Sequence, residues 1–338
     1  MFVSDICRHH HHATFAGTMK HNTHELSSHT PQVSVVITCY NQAAFIGEAI
    51  ESAFNQTFAP AEVIVIDDGS PDDTEKVVNG FGARVRYIKQ ANAGVVAART
   101  RGINESKGEF LVLLDGDDRL LPTGLEREVE VLANNPDVAF VSGQCRLIEA
   151  NGDVRSTPRQ KPLSSNIYAA LLRDNYIWMP AQVMFRRQKL IDAGGLDPHA
   201  DHAGDYELYL RLARLYAACA IEENVADWRL HGGNTHRKLA MMMNSSFRVY
   251  RAQKRFIGGD RELKNAYREG LARWQNFYGE QVVHQLREEL RRRRDRKLIV
   301  KNASALTRHA PLLVVKHLMR KAYCVVFRIK SDLAVDKG

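Results

Sequence analysis

Three aspartates stand directly after a short apolar run in the first half of this 338-residue chain. Leu111 to Leu114 have strand character, and Asp115, Asp117 and Asp118 follow them. Neighbouring negative charges repel each other unless a cation lies between them, and oxygen ligands of this kind suit Mg²⁺ or Mn²⁺. A solvated loop after a strand is the alternative interpretation of such a cluster. The surrounding sequence has to decide between the two.

Strand-like and helix-like segments alternate around this cluster. The strands are predicted over residues 33–38, 62–67, 85–88 and 110–114. The helices are predicted through Ile46, Ile50 and Phe54, from Ser70-Pro71 onward, and over residues 94–105. Hydrophobic strands that alternate with helices favour a parallel sheet covered by helices on both faces. We therefore expect an α/β fold whose ligands bind beyond the carboxyl ends of the strands.

Polar side chains follow each of these predicted strands. They are Thr38, Tyr40 and Asn41 after the first strand, Asp68 after the second, Asn92 and Arg99 after the third, and the three aspartates after the fourth. No G-x-G-x-x-G motif follows the first strand, which argues against a dinucleotide-dependent oxidoreductase. A Gly-rich phosphate loop is also absent there, which argues against a nucleotidyltransferase.

Six blocks resemble the motifs of the family 2 glycosyltransferases and occur in the family's order. They are VSVVITCYN at 33–41, VIVIDDGS at 63–70, NAGVVAARTRG at 92–102, FLVLLDGDD at 110–118, GDYELYLRL at 204–212 and RLHGGN at 229–234. The resemblance covers residues 32–236. It implies a GT-A fold, in which a Rossmann-like, mostly parallel sheet is flanked by helices. It also implies transfer of a sugar, with inversion, from a nucleotide-diphosphate sugar to an acceptor hydroxyl.

The resemblance further implies which residues hold the donor nucleotide. They are Thr38, Tyr40, Asn41, Asp68, Asn92, Arg99 and Asp115. An aromatic ring can stack on a base, and a carboxylate can accept hydrogen bonds from a base or a ribose. Two structural alternatives stay open: Asp68 as a turn residue ahead of Gly69, and Arg99 as a salt-bridge partner of the nearby aspartates. Thr100 departs from the family, which usually has Asn there.

The same resemblance implies a divalent cation, Mn²⁺ or Mg²⁺, that bridges the diphosphate of the donor. Asp117 is the expected direct ligand, with Asp118 behind it. His231 is expected to ligate the metal or to contact a phosphate. A purely structural histidine is the alternative, because a lone histidine is commonly structural.

Asp205 is implied to be the base that deprotonates the acceptor. Family members often carry Glu-Asp at this place, whereas this chain has Gly204 before Asp205. Asp205 shares a helical face with Leu208, Leu212 and Leu215, which would seat it at the inner end of a packed helix. A helix N-cap or first-turn acid is the alternative role. The residues expected to line the acceptor pocket are Trp178, Asp201 and His202.

Charge is unevenly distributed along the chain. Residues 241–338 contain 23 Lys and Arg against 9 Asp and Glu, a net charge of +14. Since the whole chain carries +8, residues 1–240 carry −6. Residues 291–330 combine a basic run with an amphipathic final helix, so an anionic membrane surface is the expected partner. Packing of that helix on the catalytic domain is the alternative, and nucleic acid is disfavoured because no aromatic residues interrupt the basic run.

These patterns divide the chain into three predicted parts. They are a disordered His-rich leader or cloning remnant (1–30), a GT-A domain (31–237) and a basic helical extension (238–338). Neither a secretory signal nor a run of 18 apolar residues is present, so we expect a cytoplasmic location, peripheral on the inner face of the membrane. The expected partners are a UDP-sugar donor and a saccharide or lipid-linked acceptor. The competing hypothesis is a catalytically degenerate GT-A protein that binds membrane or nucleic acid through its basic tail.

Overall fold

The structure, a computed structural model, describes residues 32–162, 164–232, 239–292, 296–317 and 319. The predicted leader, the boundary at 237/238 and most of the predicted final helix lie outside these residues. The described residues group into two units. One contains 32–171 and 175–232, and the other contains 172–174 and the residues from 239 onward.

The predicted strands and most of the predicted helices are present in the first unit. Its strands are β1 (Val33–Cys39), β2 (Glu62–Asp67), β3 (Arg86–Lys89), β4 (Phe110–Asp115), β5 (Arg119–Leu120), β6 (Val138–Glu149), β7 (Val154–Ser156), β8 (Val183–Arg186) and β9 (Ala217–Leu230). Its helices are α1 (Ile46–Phe54), α2 (Thr74–Asn79), α3 (Val95–Glu105), α4 (Gly124–Asn134), α5 (Ile167–Arg173), which continues into the second unit, α6 (Arg187–Asp192) and α7 (Gly204–Leu215).

The strands pair in the order β3-β2-β1-β4-β8-β6-β9-β5, with β7 beside β6. The first four are mutually parallel, as the sequence predicted. Beyond β4 the sheet is mixed, because β8 runs antiparallel to both β4 and β6, while β9 runs parallel to β6. The carboxyl ends of β1, β2, β3 and β4 therefore meet at one edge of the sheet, and the chain that leads into β8 reaches the same edge.

Burial on both faces explains why these strands are almost uninterrupted apolar runs. All seven residues of β1 are buried, and so are the first five of β4. The core contains Val35, Val65 and Val112 from neighbouring strands, packed with Ile46 and Ile50 of α1. A parallel sheet with both faces covered excludes water from its strands, so polar groups collect at the strand ends.

The helix predicted from Ser70-Pro71 begins later, at Thr74. The Ser70 hydroxyl does not cap this helix, because it accepts a hydrogen bond from the Asn41 amide at 3.0 Å. Asp72 binds the first residue of the helix instead, since its Oδ1 accepts hydrogen bonds from the amide and the hydroxyl of Thr74. The predicted helix is therefore present, but its predicted start at Ser70-Pro71 was wrong.

The second unit is helical over its described residues, as the end of the strand–helix alternation predicted. Its helices are α8 (Leu239–Ala252), α9 (Lys254–Ile257), α10 (Arg261–Arg292) and α11 (Arg296–His309), and residues 311–317 are also helical. Met243, Phe247, Val282, Leu306 and Leu313 form part of a separate apolar core. Within the described residues, no helix has both the length and the apolarity needed to span a membrane.

Close packing of α3 on the sheet gives a stability prediction. A Cβ added at Gly102 would collide with the side chain of Val36 and lie 3.3 Å from that of Ile66. We expect Gly102→Ala to lower the free energy of unfolding by about 1–3 kcal/mol, measured by urea denaturation. Gly47→Ala in α1 is the matched control, because its nearest neighbour would be 3.7 Å away. Equal stability of the two variants would contradict the packing argument.

Candidate active site

Strand register brings the predicted donor-binding residues into one row. Thr38 of β1 is the direct neighbour of Asp115 of β4, and Cys39 is the neighbour of Asp67 of β2. The Thr38 hydroxyl lies 3.3 Å from Asp115 Oδ1. Thr38 and Asp115, predicted from two different strands, therefore lie side by side at the carboxyl edge of the parallel part of the sheet, and Asp68 directly follows the third strand.

Arg99 connects the aspartate cluster to the predicted base. One guanidinium nitrogen donates to Asp115 Oδ1 and Oδ2 at 2.7 and 2.9 Å, and the other donates to Asp205 Oδ1 at 2.9 Å. Burial alone would lower the pKa of Arg99, but the two carboxylates outweigh burial and raise that pKa. Arg99 is thus a buried salt-bridge residue, which is the structural alternative that the sequence left open. A contact between Arg99 and a donor diphosphate stays a prediction.

Asp68 holds the loop between β3 and α3. Its carboxylate accepts hydrogen bonds from the Gln90 side chain and from the amides of Ala93 and Gly94, all at 2.8–2.9 Å. The turn role belongs to Asp67, because Asp67 Oδ1 accepts the Ser70 amide at 2.8 Å. Asp68 is buried, and its carboxylate fixes the conformation of this loop. Its contact with a nucleotide stays a prediction.

The segment after β1 leaves two side chains open to a ligand. Tyr40 is half-exposed, and Asn41 is exposed with a φ of 57°, a left-handed conformation that asparagine tolerates better than most residues. Gly69 faces this segment with a φ of 79°, and a Cβ there would meet backbone atoms of Gln90 and Asn92 at 3.1 and 3.0 Å. Asn92 itself is exposed in that loop. The tight approach of two loops therefore requires glycine at position 69.

Asp117 and His231 are in direct contact, although 114 residues separate them in the sequence. Asp117 Oδ2 lies 2.8 Å from His231 Nε2, and the imidazole packs against Phe45 with ring centroids 4.9 Å apart. Burial and the neighbouring Asp115 raise the pKa of Asp117. Burial, Asp117 and Asp115 raise the pKa of Asp118 well above its ordinary value. Burial first, and the neighbouring aspartates second, therefore disfavour the charged forms of Asp117 and Asp118.

The donor atoms of Asp117 and His231 fit a divalent cation. Among the described residues, no group of three or more His, Cys, Asp or Glu side chains is arranged to hold a metal. A carboxylate and an imidazole nevertheless supply two suitable donors, and cations that act on nucleotide substrates commonly take their remaining ligands from phosphates and water. Asp115 is the second cause, after burial, of the raised pKa of Asp117, so negative charges crowd this position.

Arg229 is a site residue that sequence reasoning missed. Its amide donates to Asp118 Oδ1 and its Nε donates to the carbonyl of Asp117, both at 2.8 Å. Its other nitrogens donate to the carbonyl of Ala150 and to Glu48 Oε2, at 2.9 and 2.6 Å. This guanidinium is fully buried and, with the amide of Arg229, holds the turn formed by Asp117 and Asp118 (the aspartate turn) in place. No local signal in the sequence pointed to this role, because the partners of Arg229 lie on three distant segments of the chain.

Asp205 lies in the first turn of α7. The N-cap residue of this helix, Ala203, makes no side-chain capping hydrogen bond. The side chain of Asp205 is one-third exposed, and its Oδ1 is bound to Arg99. No hydrogen bond to Asp205 Oδ2 occurs among the residues that the structure describes. One carboxylate oxygen is therefore fixed, and the other is open to a ligand. Leu208 and Leu212 are buried as predicted. The prediction was wrong for Leu215, which is 49% exposed because it is the last residue of α7.

The three residues predicted to line the acceptor pocket lie on two separate segments of the chain. Trp178 is exposed, and its ring lies edge-on to Trp228 with centroids 6.3 Å apart. Asp201 and His202 belong to a 3-10 turn immediately before α7. All three precede the predicted base in the chain, and their role in acceptor binding stays a prediction.

Comparison with known protein sequences identifies the class to which this fold and site belong. The model of glycosyl transferase family 2 matches residues 34–194. A chondroitin synthase of Escherichia coli is 30% identical over 225 residues, 65% of this chain and 32% of that protein. An uncharacterized glycosyltransferase of Nostoc sp. is 30% identical over 220 residues, 62% of this chain and 68% of that protein. The chain thus spans about a third of the chondroitin synthase and about two thirds of the Nostoc protein.

Solved structures agree at the level of the fold. The mannosyltransferase PcManGT of Pyrobaculum calidifontis, solved with GDP-Man and Mn²⁺, has a TM-score of 0.58 and 17% identity over 88% of this chain and 81% of its own. TarS 1-349 of S. aureus, solved with UDP, has a TM-score of 0.50 and 18% identity over 63% of this chain and 65% of its own. The chain belongs to glycosyl transferase family 2. The predicted GT-A fold is confirmed.

The clamp made by Arg229 gives a prediction for stability. Arg229→Met removes the partner of two backbone carbonyls, and each unpaired group costs about 1–3 kcal/mol. We expect a loss of at least about 2 kcal/mol in the free energy of unfolding, measured by urea denaturation. The matched control is Arg146→Met. Its partner Asp227 is also bound by Arg119, so the loss should be smaller. A variant Arg229→Met as stable as the control would contradict the clamp.

Proposed function

We propose that this protein is an inverting glycosyltransferase that transfers a sugar from a nucleotide-diphosphate sugar to an acceptor hydroxyl. A UDP-sugar is the first candidate donor. The observation that carries the proposal is the single guanidinium of Arg99, which binds Asp115 on the donor side and Asp205 on the acceptor side. A base and a donor-binding carboxylate held by one side chain lie close enough to act on one substrate pair. The family relationship supports the same reaction class.

The donor would lie across the ends of β1, β2 and β4. Tyr40 would stack on the base, and Asn41, Asp68 and Asp115 would receive the polar groups of the base and ribose. The solved relatives named above hold UDP in one case and GDP-Man in the other. Both nucleotides therefore belong among the candidate donors for this chain.

Asp205 would act as the general base through its open oxygen. It removes the proton from the acceptor hydroxyl while that oxygen forms a bond to the anomeric carbon from the face opposite the nucleotide. The bond from the anomeric carbon to the diphosphate breaks in the same step, so the configuration inverts. Asp117 and His231 would hold Mn²⁺ or Mg²⁺. When bound, such a cation supplies positive charge against the negative charge of the diphosphate.

We further propose that the product belongs to a cell-surface polysaccharide or a lipopolysaccharide, which would place the acceptor at the membrane. Residues 311–317 form a helical segment whose inner side buries Leu313 in the core of the second unit. His317 fixes this segment to α10 through Glu280 at 3.0 Å. The outer side leaves large apolar side chains exposed, namely Leu312 (81%), Val315 (50%) and Met319 (67%).

The occupant that this exposed face fits is an anionic bilayer. Spacings of three and four residues place the apolar side chains on one stripe, and Lys316 is exposed beside them. The net charge of +14 over residues 241–338 favours an anionic surface over a neutral one. Residues 293–295, 318 and 320–330 of the predicted membrane-binding region lie outside the described residues.

The base assignment predicts separable effects of two substitutions. Release of nucleoside diphosphate from UDP-, GDP- and dTDP-sugars is measured with and without Mn²⁺, and nucleotide binding is measured by calorimetry. We expect Asp205→Asn to bind the nucleotide normally and to lose roughly 10²–10⁴-fold in turnover. Asp117→Ala should lose the Mn²⁺-dependent part of nucleotide binding.

Glu207→Gln is the matched control for Asp205→Asn, because Glu207 lies in the same helical turn and pairs with Arg211 instead. It should retain turnover. Turnover at the unmodified rate in Asp205→Asn would exclude this base. No hydrolysis with any donor, together with no Mn²⁺-dependent binding, would favour the alternative hypothesis. In that hypothesis the protein is catalytically degenerate and binds membrane or nucleic acid through its basic tail.

The membrane proposal predicts cosedimentation of the full chain with vesicles that contain phosphatidylglycerol. The double variant Leu312→Ser, Met319→Ser should remain mostly in the supernatant, while Val154→Ser, which alters an exposed residue of β7 in the other unit, should sediment normally. Equal binding of the double variant would contradict the proposed face. Retention of the chain on RNA or DNA without vesicle binding would favour the nucleic-acid alternative.

A further inference from the structure

Trp178 is a large aromatic side chain exposed in a region whose other aromatic residues are mostly buried. It is 39% exposed, whereas Phe110, Phe140, Phe185 and Tyr209 are each exposed by 2% or less. Leaving an indole in water forfeits the gain that burial would bring. Neither the donor site nor the base accounts for this exposure.

The register of β8 places Trp178 at the edge that carries the aspartates. Phe110 pairs with Arg186 and Val112 pairs with Met184, so the chain before β8 runs towards the carboxyl end of β4. Trp178 lies five residues before β8 on this path. It also contacts Trp228, the residue directly before Arg229, whose amide binds Asp118. The register of β8 and one ring contact thus connect Trp178 to the edge that carries the aspartate turn.

The backbone of Trp178 is held rigidly by Gln182. The Gln182 side chain is fully buried, and its Oε1 accepts hydrogen bonds from the amides of Trp178 and Met179 at 2.7 and 3.1 Å. Its Nε2 donates to the carbonyl of Gly143 and to Gln160 Oε1, at 3.0 and 2.8 Å. Trp228 supports the indole from the side. An exposed ring on so fixed a backbone is pre-organised for binding, because little freedom remains to be lost.

Strand order separates Trp178 from the donor residues. β1 and β2, which carry Tyr40 and Asp68, lie on one side of β4, and β8 lies on the other. A nucleotide that occupied the ends of β1 and β2 would leave the β8 side to the second substrate. In the strand order, the residues proposed for the nucleotide and the segment that carries the indole therefore lie on opposite sides of β4.

We infer that Trp178 is a specificity-determining residue that stacks against a sugar ring of the acceptor, so that the acceptor is a saccharide at its reacting end. This inference rests on the proposed function. One face of a pyranose ring presents a patch of C–H groups, which suits the negative face of an aromatic ring. The hydroxyl groups at the rim of that sugar point to water or to a base such as Asp205.

The test uses the full chain with Mn²⁺ and UDP, or the nucleotide that the donor panel selects. An array of oligosaccharides that contain amino sugars, uronic acids, hexoses and 6-deoxyhexoses is screened for binding. The best-retained oligosaccharide is then titrated by intrinsic fluorescence. The chain has three tryptophans, Trp178, Trp228 and Trp274, so Trp178→Phe should lose most of the spectral response to the saccharide. Trp274→Phe, in α10 of the other unit, is the matched control and should keep it.

Transfer kinetics provide the second readout. We expect Trp178→Ala to raise the KM for the saccharide by roughly tenfold or more, equivalent to about 1.4 kcal/mol, and Trp178→Phe to raise it much less. Hydrolysis of the donor without acceptor should stay within about twofold of the unmodified enzyme. Normal hydrolysis with an unchanged KM in Trp178→Ala would overturn the inference alone. Normal donor hydrolysis by the unmodified chain, with no oligosaccharide retained, would overturn the assignment of the acceptor as a saccharide. If the unmodified chain hydrolyses no donor, the proposed function is overturned instead.

Discussion

Repulsion among carboxylates at the end of β4 is the constraint on which the site depends. Asp115, Asp117 and Asp118 follow one strand, and Asp205 is joined to them through Arg99. Water screens them poorly, because Asp118 is almost fully buried and the others are partly covered. Such a cluster persists in a folded protein only when buried cations or hydrogen-bond donors hold it.

Two arginines meet this need in different ways. Arg99 offsets charge directly, since its two terminal nitrogens bind the carboxylates of Asp115 and Asp205. Arg229 acts mainly on the backbone, since it binds the carbonyl of Asp117 while its own amide binds Asp118. The Asp117 carboxylate itself meets the His231 imidazole. That pair is the position proposed for the cation.

The two halves of the sheet contribute different parts of the site. The parallel half, from β3 to β4, brings four strand ends to one edge and supplies the polar groups proposed to bind the donor. The antiparallel strand β8 and the long strand β9 return to that edge with Trp178, Trp228 and Arg229. A mixed sheet therefore lets residues far apart in the sequence face the same aspartates from the side opposite the donor.

The sequence by itself determined most of the local structure of the sheet and the family to which the chain belongs. Runs of β-branched residues located β1 to β4, because a strand buried on both faces needs an apolar residue at nearly every position. The spacing of Asp115 and Asp117 after such a strand indicated the charged turn, and the six blocks indicated the family. Each of these signals lies within a short stretch of residues, so one amino-acid sequence was sufficient to detect it.

Only the tertiary structure decided how those residues are connected. The contact of Arg229 with Glu48 spans 181 residues, that of His231 with Asp117 spans 114, and that of Arg99 with Asp205 spans 106. The start of α2 at Thr74 depended on the use of the Ser70 hydroxyl by Asn41, a residue of another loop. Periodicity and propensity act over a few neighbouring residues, whereas these contacts are set by strand order and register. The sequence therefore showed which groups are present, and the fold decided which of them meet.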